Sequence, residues 1–273
     1  MDQRWPLWGR QILTILRLEL RKNFWGLRAI PMYFLALAPV LLFGARAILP
    51  LPARQAGEMG FAANVYAGMF QLFFLRLAVF FGCVAVFSSL FRGDVMEKTL
   101  HYYLLAPLRR EILVIGKYLS GLVATVAMFS AGAGLSFLLL YVPYGPSGQN
   151  FLWDGPGAGQ LAAYLGVTVL ACMGYGAVFL AMGLLFRNPI VPAAVILGWE
   201  GLNVFLPPAL KKISVLHYLL SLCPVPFTPG PFAFLTEPTP AWIAVPGLLA
   251  LTVVVMMLAC RQIRRMEISY GAD

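Results

Sequence analysis

Six apolar runs, each near the length a helix needs to cross a bilayer, leave this chain few ways to fold. They are Ile30–Leu49, Val65–Phe91, Ile112–Val142, Leu161–Phe186, Pro189–Leu206 and Trp242–Cys260. A hydrocarbon core of roughly 30 Å takes about 20 largely apolar residues. Inside it each backbone N–H and C=O has to be satisfied within the segment, which restricts the runs to helices. Only 11% of the residues are charged, against about 25% in an average soluble domain. That composition excludes a soluble globular fold.

The net charge of +9 is distributed as a membrane protein distributes it. Fifteen of the 20 Lys and Arg fall before the first run, between the second and third or just inside the third (Lys117), after the fourth, or in the tail over 261–273. With six crossings these segments share one side, which the positive-inside rule assigns to the cytoplasm. Both termini are expected there, and the charge calls for no nucleic-acid partner. The N-terminus carries a charged helix rather than a short apolar core with a cleavage site, so no signal peptide is expected. Cys83, Cys172, Cys223 and Cys260 form no C-x-x-C pair and read as small buried hydrophobes.

Two cytoplasmic stretches are amphipathic. Over 5–28, Arg10, Arg17, Arg21 and Arg28 form one stripe at helical spacing, beside Ile12, Leu13, Leu16, Leu20, Phe24 and Leu27, with Trp5, Trp8 and Trp25 as interfacial aromatics. This predicts a helix lying in the headgroup layer, either as an anchor or as a docking element. The second stretch lies within Arg92–Lys117, the one long charged passage between two apolar runs. A short helix is expected over 93–107, with Asp94 and Glu97 at its positive end and Arg109 and Arg110 after its stop. Pro107 disfavours helical geometry at Ala106. Met96, Leu100, Tyr103 and Leu104 share its apolar side, and Lys98 and His101 lie elsewhere.

On the outer side, Pro143–Gly159 is rich in Gly and Pro and reads as turns. The passage 207–240 contains an apolar decad, Ile213–Leu222, followed by Pro224, Pro226, Pro229 and Pro231. A crossing here would put the basic tail outside, so short helices that enter the outer leaflet and return are expected.

Little in the chain supports catalysis. His101 and His217 fall on opposite sides of the membrane and cannot share a metal. No phosphate loop exists, since Gly116-Lys117 has Glu111 at the upstream glycine position and Tyr118 after the lysine. Two intramembrane charges remain, Arg76 and Glu200, and such residues face a cavity or a partner. At 1.5 Å per residue their depths differ by only about 6 Å, so an ion pair, capping of buried polar groups and a substrate path are all open.

The chain resembles the membrane subunits of ABC-2-type transporters, permeases with the six-helix type V exporter fold. The resemblance rests on L-R-L-E-L-R (Leu16–Arg21), on F-R-G-D-V-M-E-K-T-L-H-Y-Y-L-L-A-P-L-R-R-E-I-L-V-I-G-K-Y-L (Phe91–Leu119), and on W-E-G-L in the fifth run. It implies an all-α integral membrane protein, a single transmembrane domain over 1–273, with six transmembrane helices, an N-terminal interfacial helix, a coupling helix over 93–107 and re-entrant outer helices before the sixth span. It also implies a bacterial inner-membrane exporter subunit that pairs with a second permease subunit, as a homodimer or close heterodimer, and with two copies of an ATPase subunit. ATP and Mg would bind in that ATPase, and no cofactor in this chain. Asp94, Met96, Glu97, Leu100, His101 and Leu104 would contact it, while Arg76, Glu200, Phe73 and Phe80 would stand near the translocation path. Competing readings are an intramembrane lipid-modifying enzyme and a non-transporting assembly or immunity factor.

Overall fold

Helices alone make up the regular structure among the described residues of the computed structural model. Those residues are 4–26, 29–49, 59–96, 105, 109–186, 188–202, 210, 213–226 and 239–265. The interfacial stretch forms α1 (Arg4–Trp25). The first apolar run forms α2 (Ile30–Ile48), with Pro31 in its first turn, where a missing N–H costs nothing, and Pro39 in its interior. The second run is continuous from Met59 to Met96 but changes character along its length: α3 (Met59–Gly68), a π-helical segment (Met69–Val79), then α4 (Phe80–Met96). The third run forms α5 (Arg110–Tyr141), the longest helix described.

Pro143–Gly159 departs from the expected turns, because Gly145–Trp153 is a helix, α6. Gly145 takes φ 57°, which only glycine adopts without strain, and Pro146 then occupies the first helical turn. The Gly-Pro pair therefore starts a helix instead of marking a loop. The remaining helices are α7 (Gly157–Leu185), α8 (Ile190–Gly201), the short α9 (Val215–Ser221) and α10 (Ala241–Arg265). Five helical stretches among the described residues are long and apolar enough to cross a membrane: Ile30–Ile48, Met59–Val95, Arg110–Trp153, Gly157–Leu185 and Ala241–Arg265. At 12 residues α8 spans about 18 Å, less than the hydrocarbon core.

The bundle is organised on α5, against which α1, α2, α4, α7 and α10 all pack. Lipid tails are as apolar as Leu side chains, so close backbone approach and dispersion have to hold such helices together. Small residues provide that approach. A Cβ on Gly183 would lie 2.8 Å from the Ser88 carbonyl oxygen where α7 crosses α4, and one on Gly132 would overlap the Ala36 carbonyl where α5 crosses α2. Farther along, Tyr66 meets the rings of Phe137 and Tyr164 edge-on, each at 4.9 Å, and its hydroxyl donates to the Ala133 carbonyl at 2.8 Å. This bond satisfies the Tyr66 hydroxyl within the aromatic core.

Candidate functional site

A buried lysine joins three helices at the base of the charged loop. The Lys117 side chain on α5 is fully buried, and its Nζ donates to Glu19 Oε1 of α1 at 2.6 Å, to Asp94 Oδ2 of α4 at 2.6 Å and to the Leu90 carbonyl at 2.9 Å. Three acceptors match the three donors of an ammonium. The Phe91 ring lies 5.4 Å from the same Nζ. Lys22, half-exposed on α1, stands 3.7 Å from Asp94 Oδ1. Two carboxylates and two ammonium groups therefore balance, the condition under which charges persist out of water.

The inward face of α1 explains how Glu19 reaches this position. Ile15, Glu19 and Asn23 recur every four residues and are buried against α5. A Cβ on Gly116 would come within 2.9 Å of Ile15, so the bare glycine lets α1 lie close. One turn along, Asn23 Nδ2 donates to Ser120 Oγ at 3.5 Å, and that hydroxyl donates to the Lys117 carbonyl at 2.7 Å. Arg10, Arg17 and Arg21 are exposed on the other side, as their stripe predicts, and Arg28 lies outside the described residues.

This geometry corrects the expected role of Asp94. It is not the first residue of a separate surface helix, because α4 continues through Met96, and its carboxylate is buried. An acidic residue near a helix C-terminus opposes the dipole; the Lys117 ammonium offsets that cost and holds Asp94 inward, away from a partner. Met96 ends α4, and its side chain lies outside the described residues, as do Glu97, Leu100, His101 and Leu104.

The two intramembrane charges do not meet in a direct ion pair. Glu200, at the end of α8, accepts a hydrogen bond from the Ser214 hydroxyl and takes the N–H groups of Val215 at 3.1 Å and Leu216 at 3.3 Å. It caps α9, where free N–H groups and the helix dipole favour a carboxylate. Arg76 and Glu200 form no ion pair, so of the open readings capping is the one observed for Glu200. Arg76 belongs to the π-helical segment, and its Nε is buried without a hydrogen-bond partner. Phe80 is buried between Tyr175 and Phe179, with ring centroids 5.4 and 5.0 Å away. Phe73 is half-buried.

Helix α9 and the residues just after it are held at three points. Besides Glu200, Gln71 of the π-helical segment donates to the Val225 carbonyl at 2.7 Å, and His217 Nε2 lies 3.0 Å from Thr239 Oγ1 just before α10. Sequence reasoning did not find Glu19, Gln71 or the role of Lys117. The available signals were Glu19 and Asn23 four residues apart beside Ile15, and a lone lysine flanked by apolar residues.

At the same end of the bundle as Lys117, Arg110 donates to the carbonyls of Ile263 at 3.2 Å and Arg264 at 3.1 Å, and Arg264 pairs with Glu111. These bonds place the start of α5 beside the end of α10. Fold and site together describe an all-helical chain of multi-pass membrane type with a buried ionic node at one end. No family model matches the chain, and no curated protein matches it.

Proposed function

We propose that this chain is the permease subunit of an ATP-driven transporter of the ABC-2 type, an exporter of a lipid, glycolipid or other amphipathic compound in a bacterial inner membrane. The observation that carries the reading is the Glu19–Lys117–Asp94 node. The segment 97–108 leaves the end of α4 three residues after Asp94 and returns at the start of α5, the helix that holds Lys117. A push on it acts on both helices at once and, through Glu19, on α1. This is what a rigid-body transition driven by a partner requires.

The path of the chain supports six crossings with both termini on one side. Helix α7 returns toward the node, since Gly183 lies on Ser88 near the end of α4. Helix α10 ends beside the start of α5. The stretch from α8 to α9 therefore carries the chain back across, with α8 and residues up to 206 as the fifth span and 207–240 as an outer re-entrant segment. The basic residues near the node put that side in the cytoplasm. There the 93–107 region meets two ATPase subunits, which bind ATP and Mg, and a second permease subunit completes the path as a homodimer or close heterodimer.

Co-purification tests the reading. The tagged chain should retain an ATPase, and Leu100→Asp and Glu97→Ala should each lower its recovery severalfold while the permease yield is unchanged. Recovery of no ATPase, or recovery indifferent to both substitutions, rejects the proposal.

A further inference from the structure

An open depression of about 550 Å³ lies where α5 starts and α10 ends, lined by Arg109, Arg110, Glu111 and Arg264. Its volume falls within the roughly 300–1,000 Å³ of small-ligand sites. Three arginines face one carboxylate, and the four groups differ in what they already do. Arg110 is bonded to the last carbonyls of α10, and Arg264 is paired with Glu111. The exposed Arg109 has its guanidinium 4.8 Å from the Trp8 ring and, after Glu111's own backbone N–H and Arg264, helps hold the Glu111 carboxyl below its usual range.

We propose that this depression binds the phosphate headgroup of an anionic phospholipid. Phosphate chemistry follows from the arginines, whose planar fork matches a phosphate oxygen pair. The lipid source follows from the surface beside them. Val253, Met257 and Arg264 fall on one exposed line of α10, with two apolar residues leading to the arginine. From Val253 to Arg264 the helix rises about 16 Å, close to half of the roughly 30 Å core, which is one leaflet. An acyl chain would run along this line below a headgroup held by Arg109 and Arg264. Trp8 lies at the headgroup level, where indole rings collect. A protein partner with an acidic surface would engage the arginines but has no use for the apolar line. The inference holds whether or not the chain serves a transporter.

The test uses the full chain purified in neutral detergent and read by native mass spectrometry. Short-chain phosphatidylglycerol, phosphatidylcholine of equal chain length and inorganic phosphate are titrated in turn. Phosphatidylglycerol should bind more tightly than phosphatidylcholine, each arginine contributing about fivefold, so that R109A with R264A loses roughly twenty-five-fold of the preference. R21A removes an exposed charge about 20 Å along α1 from Trp8 and should leave it unchanged. Absence of any preference in the unaltered chain overturns the proposal without relying on a variant. So does an equal loss in R21A, which would mean diffuse charge. Full competition by inorganic phosphate would assign the site to a free anion and overturn the lipid source. An unchanged lipid preference in R109A with R264A, alongside lost ATPase recovery, would give these arginines to a protein partner and overturn it as well.

Discussion

Lys117 illustrates how much one residue can hold when it is buried with the right partners. Lys117→Met removes the ammonium between the Glu19 and Asp94 carboxylates and leaves only the half-exposed Lys22, 3.7 Å from Asp94, to balance them; breaking a buried pair from one side costs about 3–5 kcal/mol. The expected result is a large fall in the thermal midpoint of the purified chain. Adding Glu19→Gln and Asp94→Asn removes the stranded charges and should recover most of it. A Lys117→Met chain as stable as the unaltered one would mean that the node holds nothing. The sequence shows Lys117 as a charge at the edge of an apolar run, and no more, because its partners lie 98 and 23 residues away. Helical spacing relates residues within a few turns; it carries no information on which distant acid a lysine meets. For Glu200 the sequence leaves pairing, capping and a path open for a related reason. Depth along a helix brought Arg76 to its level, yet Ser214 and the first N–H groups of α9 are nearer and satisfy it.

Among the elements, long apolar runs were readable because length and hydropathy set them, and five of the six recur as helices of membrane-crossing length. What was not readable depended on local backbone geometry. In the π-helical Met69–Val79 segment the i→i+5 turn changes which residues share a face, and composition carries no sign of it. Crossing points are equally silent in composition. Gly183 and Gly198 look alike in sequence, but a Cβ on the first meets the Ser88 backbone and a Cβ on the second meets nothing within 4 Å. A side chain at Gly183 has to move α7 off α4, because a backbone cannot rotate aside as a side chain does. Gly183→Val should cost about 1–3 kcal/mol as overpacking does. Gly198→Val should change the thermal midpoint little, within the roughly 0.5 kcal/mol of a surface substitution. Equal losses at the two positions would show that helix propensity, not the α4–α7 contact, sets the effect.

For the molecule as a whole, the decisive quantity is the number of crossings, since an even count places both termini on one side and an odd count separates them. Length favours five, with α8 too short at 12 residues. The contacts argue for an even number, because Glu19 of α1, the start of α5 and Ile263 of α10 are joined by hydrogen bonds at one end of the bundle. A short α8 is compatible with a crossing because its polar end is not left in lipid: Glu200 passes directly to the N–H groups of α9. Replacing the four native cysteines by alanine and introducing Arg10→Cys, Gly155→Cys or Arg265→Cys, all at exposed positions, makes the count measurable with a membrane-impermeant thiol reagent. In intact cells Gly155→Cys should label, and Arg10→Cys and Arg265→Cys should label only after permeabilisation. Labelling of Arg265→Cys from outside with Arg10→Cys protected would reduce the crossings to five and remove the shared cytoplasmic face on which coupling to an ATPase depends.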